Sequence, residues 1–68
     1  MNQTERRIFL IKALLAEQPK YANMQISANA DEQKRLLRSL FNIRMPEPVS
    51  EEFLQVQDEY LKSEAKRS

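Results

Sequence analysis

The residue types that most often carry out chemistry in proteins are either absent from this sequence or scattered along it. No cysteine and no histidine occurs among the 68 residues, so neither a thiolate nor an imidazole can act as nucleophile, base or metal ligand. The five serines have no recognisable base partner. We therefore expect no catalytic, metal-binding or cofactor-binding residue in this chain, and we predict that it is not an enzyme by itself.

Adjacent carboxylates such as Glu51 and Glu52 could in principle form an acid–base pair. They directly follow Ser50, a good N-cap residue, and negative charge in the first turn of a helix is favoured by the helix dipole. No base or pocket accompanies them in the sequence. We interpret them as residues that start a helix.

Four basic residues, Lys34, Arg35, Arg38 and Arg44, form a candidate patch for an anion or a nucleic acid. The whole chain carries 11 basic and 10 acidic side chains, so its net charge is only +1 and exerts no strong attraction on nucleic acid or anionic lipid. A solvent-exposed helix face is the favoured interpretation. An anion site remains open as the alternative.

Composition and residue spacing predict an all-α fold, because glycine is absent and helix-forming residues dominate. Asn2, Asn29 and Ser50 stand before amphipathic stretches as N-caps, while Pro19 and the corner 45–48 interrupt helical geometry. We predict a small three-helix bundle with helices at about 3–18, 30–44 and 51–64. The first helix should pack across an elbow that the other two form.

We expect residues 1–62 to form one helical domain. Residues 63–68 lack an apolar stripe, so we expect them to fray or to act as a linker to a downstream domain. The connector 19–27 should be a loop whose apolar residues fold back on the helices. The longest apolar run is too short to cross a bilayer, and the lack of cysteine fits a reducing compartment, so we predict a cytoplasmic protein that does not contact a membrane.

One apolar surface is predicted to face away from the core. At about 100° per residue, Phe9 projects to the side opposite the leucines of the first helix, and Ala13 and Ala16 flank it. With Tyr21 and Met24 from the connector, these residues form a candidate contact surface for a partner. The alternative is that Phe9 is an isolated surface aromatic or lies under a loop. In the third helix we expect the buried face to include Phe53, Val56, Tyr60 and Leu61.

The stretch 33–61 resembles a known bacterial family. It reads QKRLLRSLFNIR, then a proline-rich corner, then VSEEFLQVQDEYL, and it resembles the N-terminal helical extension of zinc-dependent macrodomain ADP-ribosyl hydrolases of Firmicutes. The opening TERRIFLIKALLAEQPKY is similar to the start of the same extension. In that family a macrodomain follows, which binds ADP-ribose and removes it from modified proteins with the help of zinc. The zinc ligands are cysteines and a histidine of that downstream domain, so none falls on this chain.

The resemblance implies a non-catalytic N-terminal domain that packs against the macrodomain of the same polypeptide and is monomeric by itself. Zinc and ADP-ribose would bind only to the downstream domain. Two alternatives remain open. One is a free-standing helical module that binds nucleic acid through the basic patch, and the other is a small protein-interaction module in which Phe9 mediates self-association.

Overall fold

A computed structural model describes residues 2–21, 23–43 and 45–67, which form three α-helices and one short 3₁₀ turn. Helix α1 spans Gln3–Ala16, α2 spans Ala30–Ile43 and α3 spans Glu51–Arg67. The 3₁₀ turn, Pro19–Tyr21, lies in the connector between α1 and α2. The described ranges contain no strand, and the prediction of an all-α three-helix bundle is confirmed.

All three helices begin at the predicted caps. A side-chain oxygen of Asn2, Asn29 and Ser50 accepts the backbone N–H three residues later, at 2.8, 3.1 and 3.1 Å respectively. Each cap satisfies a donor that the first helical turn leaves without an intrahelical partner, and such a cap is typically worth about 1 kcal/mol.

Helix α1 ends at Ala16, two residues before the predicted end. The amides of Glu17 and Gln18 donate to the carbonyls of Leu14 and Leu15, three residues back, at 3.2 and 2.9 Å. Bonds of this spacing tighten the last turn into 3₁₀ geometry ahead of the proline. Helix α1 therefore ends before it reaches Pro19.

Helix α1 is the element to which the other two are attached. It packs against both α2 and α3, whereas no Cα atom of α2 lies within 8 Å of a Cα atom of α3. This confirms that the first helix packs across the other two, and it leaves the backbones of α2 and α3 apart. The buried apolar residues are Leu10, Ile11, Leu14, Leu15, Leu37, Leu40, Phe53, Val56 and Tyr60.

The corner between α2 and α3 is built from the two prolines. Pro46 is buried, the Glu47–Pro48 peptide bond is cis, and Met45 and Val49 pack against the core on either side. The second helix is described as far as Ile43.

Helix α3 continues to Arg67, three residues beyond the predicted end. The side-chain amide of Gln3 donates to the carbonyl oxygen of Tyr60 at 3.2 Å and to the Oε1 of Glu64 at 3.0 Å. These contacts hold the turns of α3 that carry Tyr60 and Glu64 against the start of α1. That residues 63–68 act as a linker stays a prediction.

Candidate functional site

A groove separates α2 from α3. We call it the α2–α3 groove; its volume is about 310 Å³. Its apolar lining comes from both helices, and charged or amide side chains of α2 and α3 stand at its margin. The lining residues are Leu37, Phe41, Tyr60 and Leu61, with Lys34, Arg38, Asn42 and Glu64.

A second hollow lies between α1 and the connector. It measures about 330 Å³ and is lined by Lys12, Leu15, Ala16, Met24 and Ile26. We call it the α1–connector hollow. Two residues of the predicted partner surface, Ala16 and Met24, therefore come together here.

The other members of that predicted surface are placed differently. Phe9, Ala13 and Tyr21 are half-buried and pack against the core, while Ala16 and Met24 are exposed. The prediction that Phe9 and Ala13 face away from the core is wrong. Because α1 is contacted by helices on two sides, a wider arc of its surface is covered than one apolar stripe indicates. The role of the five residues in partner contact stays a prediction.

The structure brings together two of the four basic residues. Lys34 and Arg38 both line the α2–α3 groove, one helical turn apart, whereas Arg35 is exposed and does not line it. Arg44 lies outside the described residues. Within the described part of the chain, Lys34, Arg35 and Arg38 take part in no ion pair.

Leu61 was expected in the buried face of α3, but 52% of its surface is exposed. The inward face of α3 is centred on Phe53, Val56 and Tyr60, so Leu61 lies on the flank that faces the groove. Leu54, one heptad earlier, is 49% exposed on the same flank. The placement of Leu61 in the core is therefore corrected to the wall of the groove.

A buried polar cluster was not anticipated from the sequence. Arg7 and Gln33 are each only 4% exposed, and the Nε of Arg7 donates to the Oε1 of Gln33 at 2.8 Å. The amide nitrogen of Gln33 in turn donates to the backbone carbonyl of Ser27 at 2.7 Å. This chain of bonds joins α1, α2 and the connector. Both residues continue the apolar stripe of their helices, and that position was the available sign that they would be buried.

Tyr60 joins this cluster to the groove. Burial, and after it the negative charge of Glu64, raises the pKa of the Tyr60 hydroxyl, while the nearby Arg7 guanidinium acts in the opposite direction. A tyrosine with a raised pKa stays protonated at neutral pH. It supplies a neutral hydroxyl rather than a base.

The described residues include the carboxylates that the sequence offers as metal ligands or as an acid–base pair. No group of three or more Asp, Glu, His or Cys side chains in these ranges could hold a metal ion, and Glu51 and Glu52 are exposed at the start of α3. Across the same ranges, none of the helices has the length and apolar character that crossing a membrane requires.

No family model matches the chain, and no solved structure matches it. The chain is 59% identical over 61 residues to a protein of Treponema medium named protein-ADP-ribose hydrolase. The match covers 90% of this chain but 23% of that protein, so the chain spans about a quarter of the length of the curated relative. The name of the relative contains ADP-ribose hydrolase, as the resemblance implies, but neither zinc nor a macrodomain. Nearly all of this chain is therefore similar to a short part of a protein-ADP-ribose hydrolase.

Proposed function

We propose that the chain is a non-catalytic helical accessory domain of a protein-ADP-ribose hydrolase and packs against the catalytic macrodomain of the same polypeptide. The observation that carries this proposal is the match itself, which covers nearly the whole bundle and leaves about three quarters of the relative unmatched. A bundle with a core of its own, joined to a larger chain, is the usual form of an accessory domain.

The residue types in the bundle favour a structural role over a catalytic one. A hydrolase needs an activated water or nucleophile and a site that excludes solvent. This sequence contains neither cysteine nor histidine. The side chains of the buried polar cluster already make hydrogen bonds that join α1, α2 and the connector. Zinc and ADP-ribose would bind to the rest of the hydrolase, which we place in the cytoplasm.

A chimera tests the proposal. The matched 61-residue segment of the Treponema medium hydrolase is replaced by this chain, and the chimera is compared with a form from which the segment is deleted. We expect the chimera to unfold in one cooperative transition and to release ADP-ribose from a modified protein. The deleted form should have a lower midpoint of thermal unfolding, because the surface that the bundle covers becomes exposed to water. Equal midpoints and equal activities for the two forms would show that the bundle contributes to neither the stability nor the activity of the hydrolase.

The predicted partner surface needs a careful choice of variants. Phe9→Glu would place a charge beside the core, so it would destabilise the isolated bundle as well as any domain contact. Ala16→Glu and Met24→Glu change exposed positions, and the isolated 68-residue chain should tolerate both. If this surface contacts the macrodomain, each of these two variants lowers the unfolding midpoint of the chimera but not that of the isolated chain.

Nucleic-acid binding is a second candidate, because Lys34, Arg35 and Arg38 take part in no ion pair within the described residues. Fluorescence anisotropy with a labelled duplex and a labelled single strand at ~50 mM salt tests it. Binding that weakens steeply as salt is added would favour this candidate, and no binding at low salt would remove it.

A further inference from the structure

The α2–α3 groove lies between two helices that both pack on α1 but not on each other. Two helices that pack on each other have axes about 8–10 Å apart, and their nearest Cα atoms are closer than that because each lies about 2.3 Å from its axis. Here α2 and α3 both pack on α1, but no Cα atom of one comes within 8 Å of a Cα atom of the other. The space between them, about 310 Å³, can hold a few side chains of a helix lying along it.

The groove is apolar at its base and on its α3 side. Phe41 is half-buried and Leu61 is 52% exposed, and both line the groove from opposite helices. Leu54 extends the exposed apolar flank of α3 by two turns. Single exposed leucines are common on protein surfaces, but Leu61 lies in the wall of a concave apolar site. Such a site gains free energy when an apolar helix face covers it.

The charge of the groove is not symmetric. Lys34 and Arg38 stand on the α2 side, and neither takes part in an ion pair with another described residue. On the α3 side Glu64 accepts a hydrogen bond from Gln3 at 3.0 Å. The two cations are therefore available to carboxylates of an incoming segment, and they favour a helix whose flank next to α2 is acidic.

We propose that the α2–α3 groove binds an acidic amphipathic helix supplied by the remaining part of the hydrolase polypeptide. This inference rests on the proposed function and names a surface, distinct from the predicted partner surface, through which the accessory domain is held. A helix joined through a short flexible linker has an effective concentration in the millimolar range, so a groove of this modest size could hold it without high intrinsic affinity.

Carbodiimide cross-linking of the chimera described above tests the groove directly. The reagent joins a lysine Nζ to a carboxylate that lies within ion-pair distance, and mass spectrometry identifies both residues. We expect Lys34 to be joined to an aspartate or glutamate outside the bundle. Lys12 is the control, because it is a helix lysine that lines the α1–connector hollow instead of the groove.

Two variants complete the experiment. Leu61→Glu puts a charge on the wall of the groove at a half-exposed position. Covering half a leucine is worth roughly 1 kcal/mol, so the variant should weaken docking about fivefold and lower the Lys34 cross-link to residues outside the bundle. Met24→Glu makes the same kind of change in the other hollow and should leave the cross-link unchanged. Circular dichroism of the isolated chain checks that each variant still folds.

The outcomes separate this inference from the function on which it rests. A cross-link from Lys12 in place of Lys34, or a Lys34 cross-link that stays within the bundle or is absent, overturns the groove as the docking site. The proposed function would still hold in that case if deletion of the segment lowers the unfolding midpoint. If deletion changes neither midpoint nor activity, the proposed function itself fails.

Discussion

Replacing Gln33 with leucine tests whether the buried bond between Arg7 and Gln33 stabilises the bundle. Leucine has a similar volume, so the change removes the acceptor 2.8 Å from the Nε of Arg7 without opening a large cavity. A hydrogen bond to a charged group is worth about 1.5–3 kcal/mol, and the Arg7 guanidinium stays buried. We expect a loss of about 2 kcal/mol, which is near half of the ~3–5 kcal/mol that a core of this size supplies.

Urea unfolding of the 68-residue chain, followed by far-ultraviolet circular dichroism, measures this loss. For a protein this small the free energy of unfolding falls by about 1 kcal/mol per molar urea, so the midpoint should drop by about 2 M. Gln55→Leu is the matched control, because Gln55 is exposed on α3 and its replacement should change the free energy of unfolding by less than about 0.5 kcal/mol.

The double variant Arg7→Met with Gln33→Leu decides whether the reasoning is right. It removes the buried charge together with its acceptor, and replacing both partners with apolar groups is often neutral or stabilising. We expect the double variant to be within about 1 kcal/mol of the unmodified chain and therefore more stable than Gln33→Leu alone. A double variant as unstable as the sum of the two single ones would refute the pairing. Gln33 would then stabilise the bundle through the carbonyl of Ser27 instead.

Three further predictions concern α3. Ser50→Ala removes the acceptor for the first turn and should lower the free energy of unfolding by about 1 kcal/mol in the same urea assay; no loss would mean that water replaces the cap. The pKa of Tyr60 is raised by burial and then by Glu64, so the folded state holds the phenol proton more tightly than the unfolded state. Stability should therefore be unaffected by Tyr60 below pH ~10 and should fall as pH rises through the folded-state pKa, and urea titrations at stepped pH should show a smaller fall for Tyr60→Phe. Lys62→Ala removes a 2.9 Å ion pair with Asp58. Both side chains are exposed, so the thermal midpoint should not change measurably; a clear drop would show that this pair contributes to stability.

Local signals in the sequence were sufficient for the helices. A cap such as Asn2 or Ser50 acts within four residues, and a proline restricts only its immediate neighbours, so the helix starts and the all-α class follow from short stretches of sequence. The contact between Gln3 and Glu64 does not follow in this way, because the two residues are 61 positions apart in the chain.

The surfaces were harder to predict because periodicity gives the apolar stripe of a helix but not the number of its neighbours. Phe9 is half-buried because α1 is contacted from two sides, and Leu61 is half-exposed because α3 touches α1 but stays apart from α2. The buried Arg7 and Gln33 were not anticipated, since polar residues are assigned to solvent unless a partner in another element is known. Each of these errors concerns tertiary arrangement rather than secondary structure.

The contact of Gln3 with Glu64 places the first turn of the domain beside its last turns. A polypeptide joined to the start of the domain and one joined to its end would therefore leave from the same end of the bundle. Two connections that lie side by side restrict rotation of the domain more than a single connection does. A module arranged in this way could be spliced into a surface loop of a host protein without forcing the flanking backbone apart.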